Sequence, residues 1–207
     1  MWQFFDEIDL HRARRIREIS TLKVLCSYHS PTVLSNVLKK SFIVGCYGHW
    51  EGFYNECVDA FVSAAIKQNL EVKDVSWSLM VGVFESDLRS VKDRNHSRES
   101  HVELIESLRT KSGSKFDRFD RTCIKSRSNL NFETIRKNFN LLDVDCSGFE
   151  RFRLKIDREL VGWRHSIAHG DEIDMSLVDI KTHADLTSEL LILVSNLTQQ
   201  KMLSIWR

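Results

Sequence analysis

The residues best suited to chemistry lie together in the segment Arg164-His165-Ser166-Ile167-Ala168-His169-Gly170. Histidines four residues apart project from the same side of a helix, and here an arginine precedes the first of them. An imidazole gives or takes a proton near neutral pH, and a guanidinium binds phosphate through two parallel hydrogen bonds. Metal-independent RNA cleavage needs a base for the 2′-hydroxyl, a cation for the phosphorane and an acid for the leaving 5′-oxygen. The segment therefore predicts a site for this chemistry, whose product is a 2′,3′-cyclic phosphate.

Spacing alone leaves two other interpretations of this segment open. Two histidines at i and i+4 can bind one zinc ion from a single helix, with Asp171 or Glu172 as a further ligand. The companion glutamate of an HExxH motif and a nearby cysteine are missing from the sequence. The other interpretation is a surface arginine and a histidine that interacts with the carbonyl end of its helix.

The elements that must position these residues are predicted to be helices. The chain of 207 residues contains one proline, Pro31, and eight glycines. Average usage would give roughly ten prolines in such a chain, and folds rich in sheets or loops need frequent turn residues. The composition therefore predicts an all-α fold, a helical bundle of about five to seven helices.

Apolar periodicity and capping residues divide the chain further. Ser30 and Pro31 are the expected N-cap and first residue of the longest helix, and Ser147 is the expected cap of the helix that ends before Gly170. Asp174 or Ser176 is expected to open the last helix. The predicted helices are Phe4 to Cys26, Thr32 to Gln68, Val75 to Leu88, Asn131 to Leu142, Ser147 to His169 and a final helix containing Leu186 to Leu197.

The longest predicted helix carries three rows of residues that differ in character. A core-facing stripe comprises Phe42, Cys46, Trp50, Phe53, Cys57 and Phe61. Beside it, Tyr47, Glu51 and Tyr54 put two phenols and a carboxylate on an otherwise apolar face, which suits either a buried hydrogen-bond network or a substrate surface. Three glycines, at positions 45, 48 and 52, predict close approach by another helix or a ligand.

A basic stretch, Ser107 to Arg127, carries seven lysines or arginines against two acids. It lies within a polar region, Asn95 to Asn131, that is predicted to contain a mobile basic loop. Phe116 and Phe119 alternate with the charges, which suits base stacking as well as local packing. The candidate RNA-binding residues are Lys115, Arg118, Arg121, Lys125 and Arg127.

Two motifs resemble a known family. The segment from Arg164 to Gly170 resembles the signature of the HEPN domain superfamily, an arginine followed by a polar residue, three more positions and a histidine. The run Tyr47-Gly48-His49-Trp50-Glu51-Gly52-Phe53 is similar to the corresponding helix of the bacterial MAE-like HEPN subfamily. The order of the later helices agrees, so the resemblance covers the chain from about Thr32 to Leu197.

This resemblance implies an all-α, HEPN-like helical bundle that forms a homodimer, with two motifs facing each other. Many HEPN domains are metal-independent endoribonucleases in toxin–antitoxin or phage-defence systems, so RNA is the implied substrate and an antitoxin or defence protein a possible partner. Matching residues makes Arg164 and His169 the catalytic pair and His165 the polar residue between them, where many members have asparagine. Tyr47 and Glu51 are predicted as supporting residues, although the motif does not include them. The alternative is a non-catalytic HEPN module that binds RNA, nucleotide or a protein partner.

The composition excludes several classes of protein. With 42% hydrophobic and 29% charged residues the chain is expected to fold, and its longest apolar run, Leu190 to Val194, cannot span a bilayer. A net charge of +1 exerts no general attraction for nucleic acid, so any anion site must be local. Five cysteines without CxxC spacing, and no secretory signal at the N-terminus, predict a cytoplasmic protein with no cofactor or metal. Residues 1–207 are predicted to form one domain, with an N-terminal helix over 1–28 and a core bundle over 32–197.

Overall fold

The computed structural model describes residues 2–27, 33–126 and 129–205. Six regular helices are α1 (Trp2–Ser27), α2 (Val33–Ile66), α3 (Trp77–Asp93), α4 (Arg98–Lys111), α5 (Phe132–Leu141) and α7 (Ile180–Ile205). Between α5 and α7 lies α6, residues 147–169, which changes its helical geometry along its length. Among the described residues no strand forms, and one isolated bridge joins Glu71 to Lys115. The predicted all-α fold is confirmed.

Three long helices, α1, α2 and α7, pack against one another and form the centre of the bundle. The α2 and α7 helices run parallel and in register: Phe42 faces His183, Cys46 faces Thr187 and Cys57 faces Thr198. All six residues of the predicted stripe on α2 are at most 1% exposed. The aromatic rings of that stripe also meet α6, because Trp50 packs against Phe149 at 6.1 Å between centroids.

Two of the three glycines of α2, Gly45 and Gly52, allow α1 to approach closely, as predicted. The Arg15 guanidinium crosses α2 where a Cβ on Gly52 would stand 2.8 Å from its Nη2, and Leu22 lies 3.3 Å from the equivalent point on Gly45. At this crossing Arg15 also forms a two-pronged ion pair with Glu56. Gly48 differs, because no atom lies within 4 Å of the position its Cβ would take.

The region from Asn95 to Asn131 is only partly a loop, and the mobility of its basic part stays a prediction. It contains α4, which the sequence pattern hid because its apolar Val102 and Ile105 are exposed instead of buried. The following segment, residues 116–126, is here called the strap; it runs back along α2 in the opposite direction. Its start is fixed by the bond from the Phe116 amide to the Leu70 carbonyl at 2.8 Å, and its end by bonds between Ser126 and Asn55.

The phenylalanines of the strap pack inward. Phe116 is 1% exposed, and the ring of Phe119 lies against Gly82 of α3. The Asp120 amide donates to the Gly82 carbonyl at 2.8 Å, which holds the strap against α3 as well as α2. Of the two interpretations that the sequence leaves open for these aromatic residues, the structure supports local packing.

The helix predicted from Ser147 to His169 is present, but it is not a uniform α-helix. Its parts are a 3₁₀ segment (Ser147–Phe152), an α turn (Arg153–Lys155), a π segment (Ile156–Gly162) and a final α segment (Trp163–His169). Ser147 is not the expected cap, because its amide and hydroxyl both bond to the Asp145 carboxylate. Its predicted apolar stripe nevertheless points inward, with Phe149, Ile156 and Leu160 fully buried.

Other boundaries shift by a few residues. Asp174 and Ser176 begin only a 3₁₀ turn, Met175–Leu177, and the last helix starts at Ile180. Asn131 caps α5 by accepting from the Thr134 amide, close to the predicted start. The predicted cap at Ser30 and Pro31 lies outside the described residues.

Within the described ranges, no helix is long and apolar enough to cross a membrane. The prediction that residues 1–207 form one domain stays a prediction.

Candidate active site

The predicted motif lies at the last turn of α6. His169 is the final helical residue, and Gly170 takes a left-handed conformation with φ of 81°. The amides of Gly170 and Asp171 turn back to the carbonyls of Ile167 and Ser166 at 3.2 and 2.9 Å. Glycine suits this position because a side chain would strain the backbone there. The turn ends α6 with its partial negative charge at the motif, which favours bound or side-chain cations.

Apolar anchors set the rotation of this last turn. Trp163 and Ile167 pack with Ile43 of α2 in a small cluster that also contains Met175 and Val178. The indole of Trp163 stacks on the imidazole of His183 from α7, with centroids 5.5 Å apart. Because Trp163 and Ile167 face inward, Arg164 is directed toward Tyr47 of α2 and His165 is directed toward solvent.

His183 lies beneath the motif in an apolar environment. It is 1% exposed, and neither ring nitrogen has a hydrogen-bond partner. Burial lowers the pKa of His183 from its ordinary value to about 4, because a charged imidazole cannot be solvated there. The ring is therefore neutral at physiological pH and acts as a packing residue.

Arg164 is half-buried and lies over the ring of Tyr47 from α2, with its guanidinium carbon 4.2 Å from the ring centroid. The Tyr47 hydroxyl accepts a bond from the Leu130 amide at 2.8 Å and donates to a carboxylate oxygen of Glu51 at 3.1 Å. The same Glu51 oxygen accepts from the hydroxyl of Ser126 at 2.7 Å. These contacts connect the motif arginine to α2 and to the end of the strap.

Tyr47 is held as a neutral phenol. Burial raises its pKa above the ordinary value, and the neighbouring Glu51 carboxylate raises it further. The bond from the Leu130 amide and the positive charge of Arg164 oppose this rise without cancelling it. The phenol therefore keeps the proton that it donates to Glu51, and its neutral ring remains beneath the guanidinium.

His165 and His169 form a pair on the solvent side of α6. Their ring centroids are 4.3 Å apart at an angle of 51°, and both side chains are exposed. The predicted common face of these residues is thus present. Two imidazoles that follow an arginine in the chain and are open to solvent can exchange protons with a bound phosphodiester.

The zinc interpretation would need a third ligand near these imidazoles. Across the described part of the chain, histidine, cysteine and acidic side chains form no group of three or more that could hold a metal ion. Asp171 and Glu172 follow the motif as exposed residues.

The candidate RNA-binding residues of the basic stretch lie apart from the motif. Lys125 and Arg121 both face Asp59 of α2, at 2.6 and 3.6 Å, and Arg121 also donates to Ser63. Lys115 and Arg118 are exposed beside the far end of α2, where the strap begins. Arg127 lies outside the described residues. The structure does not gather the described four around Arg164.

Sequence reasoning missed Ser126 and the Leu130 amide, which hold Glu51 and Tyr47 in place. Both lie more than 70 residues from their partners in the chain, and no local motif marks them. The packing of the end of the strap and of the segment before α5 against α2 brings these groups together.

Comparison with protein families identifies one match. The model of the family described as RiboL-PSP-HEPN matches residues 10–199, which include the motif, Tyr47, Glu51 and the strap. Comparisons with curated proteins and with solved structures found no match. The matched family is a HEPN family, as the motif resemblance predicts. The finer resemblance to the MAE-like subfamily stays a prediction.

Proposed function

The chain belongs to the RiboL-PSP-HEPN family, and on that premise we propose that it is an endoribonuclease that cleaves RNA without a metal ion. The observation that carries the proposal is the position of Arg164, stacked on Tyr47 at the end of α6 beside two paired, exposed imidazoles. This arrangement supplies a fixed cation and two groups for proton transfer at one solvent-facing helix end.

Arg164 holds the scissile phosphate in this proposal. The guanidinium carbon of Arg164 lies 4.2 Å from the centroid of the Tyr47 ring, which fixes the position of the cation. A guanidinium is planar and carries five N–H donors in a rigid fork. A phosphate accepts two parallel bonds from such a fork and is thereby oriented. The cation also stabilises the extra negative charge of the phosphorane as it forms.

His169 and His165 transfer the protons. One imidazole removes the proton of the 2′-hydroxyl as the 2′-oxygen attacks phosphorus, and the bond from phosphorus to the 5′-oxygen breaks. The other imidazole gives a proton to the leaving 5′-oxygen, so the products are a 2′,3′-cyclic phosphate and a free 5′-hydroxyl. We assign His169 one of these transfers because it matches the histidine of the family motif, and His165 the other because its ring adjoins that of His169.

Tyr47 and Glu51 are positioning residues in this scheme. The Tyr47 ring supports the guanidinium of Arg164, and Glu51 fixes the direction of the Tyr47 hydroxyl by accepting its proton in a hydrogen bond. Neither residue needs to touch the RNA. Tyr47→Phe keeps the ring and is expected to retain most activity, whereas Tyr47→Leu removes the support for Arg164.

The proposal includes a homodimer that acts as a toxin or phage-defence effector, with an antitoxin or defence protein as its regulator. One copy presents two imidazoles and one arginine, and a second motif facing the first would complete a cleft around the RNA. A chain of 24.2 kDa that sediments only as a monomer at micromolar concentration would contradict the dimer.

Incubation of the purified protein with structured RNA in EDTA tests the catalytic proposal. We expect cleavage that survives chelation and leaves 2′,3′-cyclic phosphate ends. Arg164→Ala and His169→Ala should each lose about 10²–10⁴-fold in rate while the thermal melting curve is retained. His101→Ala, which removes an exposed histidine of α4, is the control and should cut like wild type.

Two results would overturn the catalytic proposal. One is a folded Arg164→Ala or His169→Ala variant that cuts as fast as wild type. The other is wild-type protein that binds RNA without cutting it, which would favour the non-catalytic HEPN module.

A further inference from the structure

The outer face of α6 is the side opposite its buried stripe. The stripe, which packs inward, consists of Phe149, Phe152, Ile156, Leu160, Trp163 and Ile167. Leu154, Arg158, His165 and His169 each lie two residues from a member of the stripe, and all four are exposed. A residue two positions away lies on the opposite side of a helix. Arg158 therefore shares a face with both motif histidines.

The basic side chains near Arg158 differ in how far their charge is already compensated. Arg151 pairs with Glu189 at 2.8 Å, and Arg153 lies over the ring of Phe132. Lys155 and Arg158 are exposed, and among the described residues neither takes part in an ion pair. Their two positive charges remain available to an anion from solvent.

The acids of the same segment do not neutralise these two charges. A carboxylate oxygen of Asp157 accepts the Phe132 amide at 2.8 Å, so it is directed at the start of α5. Glu159 is half-buried, and no ion pair joins it to Lys155 or Arg158.

Gly162 leaves the outer face bare between Arg158 and the histidines. It ends the π segment, in which the Trp163 amide bonds to the Arg158 carbonyl five residues back. Apart from its neighbours in the chain, the described residues place one atom within 4 Å of the position of a Cβ on Gly162, the Asp157 carbonyl oxygen at 3.2 Å, and no side chain. Seven residue steps separate Arg158 from His165, which is at most about 10 Å, since the α-helical rise is 1.5 Å per residue and the π segment rises less. A single strand lying across the histidines can therefore continue over Gly162 and reach Arg158.

We infer that Lys155 and Arg158 bind RNA phosphates adjacent to the scissile one, so that the strand follows the outer face of α6. The inference rests on the proposed function, because it identifies the path of that substrate. The strap is a poorer path, since Lys125 and Arg121 already face the Asp59 carboxylate. Lys115 and Arg118 lie near the far end of α2, and the 19 residue steps from Tyr47 to Ile66 alone span about 28 Å.

Equilibrium binding with an RNA that cannot be cut tests this path. A fluorescent single-stranded oligonucleotide with 2′-O-methyl riboses lacks the attacking hydroxyl, so anisotropy reports binding alone. The double variant Lys155→Ala/Arg158→Ala is compared with Lys115→Ala/Arg118→Ala, which removes the same two charges from exposed positions near the strap. Thermal melting of each variant verifies that it is folded.

The α6 double variant should bind about 25-fold more weakly than wild type at 0.1 M salt, because each lost phosphate contact contributes about fivefold there. The slope of log affinity against log salt should become shallower by about 1.4. Arg158→Lys, which keeps the charge, should retain affinity within a few-fold, and the strap double variant should bind like wild type.

The result separates this inference from the proposed function. Unchanged binding by the folded α6 double variant, weakening confined to the strap double variant, or no binding by wild type would overturn the inference. Loss of binding by the α6 variant with no cleavage of natural RNA by wild type would sustain the inference and overturn the nuclease proposal.

Discussion

The strap and the outer face of α6 are both rich in basic residues, but their charges have different surroundings. In the strap, Lys125 and Arg121 face Asp59, so an arriving phosphate would have to displace a carboxylate. On α6, Lys155 and Arg158 have no ionic partner among the described residues and lie on the same side as two imidazoles. The difference teaches that the number of charges in a segment does not locate an anion site. What matters is which charges the fold leaves uncompensated.

The aromatic residues of the two regions also show that neighbours in the sequence do not locate a binding site. Phe116 and Phe119 alternate with the charges of the strap as base-stacking residues do, yet both pack into the protein. The aromatic ring that serves the motif is Tyr47, which comes from α2 and supports Arg164 from below. An aromatic residue next to a basic one in sequence is thus weaker evidence for binding than a ring stacked on that basic residue in space.

The largest expected effect comes from exchanging one cation in each region. Arg164→Lys keeps the charge but loses the planar fork and its stacking on Tyr47, so kcat/KM should fall about 10²–10³-fold. Lys125→Ala removes a charge that Asp59 already compensates, so cleavage should stay within about threefold of wild type. Steady-state cleavage of a fluorescent RNA measures both. Similar losses for the two variants would remove the contrast between the strap and α6.

A pH effect on stability should arise beneath α6, at His183. Its folded-state pKa of about 4 lies below the unfolded value near 6.5, so between these values the unfolded chain binds a proton that the folded chain does not. The free energy of unfolding should therefore decrease as pH falls through this range, by about 3 kcal/mol in total from this residue. Urea unfolding of wild type and His183→Leu at several pH values measures the difference.

The stability of His183→Leu relative to wild type should increase steadily as the pH is lowered from 7 toward 4. A difference between the two proteins that is constant with pH would show that His183 is not buried as a neutral ring.

The attachment of the strap to α3 is tested at Gly82. A methyl group there would overlap the ring of Phe119, so Gly82→Ala should destabilise the protein by about 1–3 kcal/mol in spite of the better helix propensity of alanine. Gly48→Ala is the matched control, because Gly48 is also inside a helix and a Cβ there would meet no atom within 4 Å. Urea unfolding measures the free energy of unfolding of both variants. If Gly82→Ala is as stable as wild type, the ring of Phe119 does not pack closely against Gly82.

The smallest effect is expected from two glycines one turn apart on α2. Gly48→Ala meets no neighbour and should stabilise the protein by about 0.5–1 kcal/mol through helix propensity. Gly52→Ala should gain less or nothing, because the Arg15 guanidinium must move away from Glu56. Equal increases in the melting temperature of the two variants would mean that Arg15 can move away from Gly52 without loss of stability.

Much of the fold could be predicted from the sequence because helix formation depends on local patterns. The stripe from Phe42 to Phe61 has helical spacing, and every member is buried on α2. The pattern failed for α4, which presents Val102 and Ile105 to solvent and therefore lacks a recognisable buried face. It also failed to show the π segment of α6, since the inward stripe keeps nearly the same spacing through Ile156 and Leu160.

The candidate site could be predicted where its residues are neighbours in the chain. Arg164, His165 and His169 lie within the last two turns of α6 before Gly170, so local geometry alone places the two imidazoles on one face. Tyr47 and Glu51 were predicted as supporting residues, but their contacts with Arg164, Leu130 and Ser126 could not be. Those contacts join segments far apart in sequence.

The sequence by itself determined which residues can do chemistry and that helices carry them, because side-chain type and helical spacing are local properties. The tertiary structure decided which of these residues are accessible to a ligand from solvent. Packing directs Arg121 and Lys125 toward Asp59 and leaves Arg158 uncovered beside the motif. Burial and charge compensation depend on what lies opposite a residue in space, and that partner is set by the packing of whole helices.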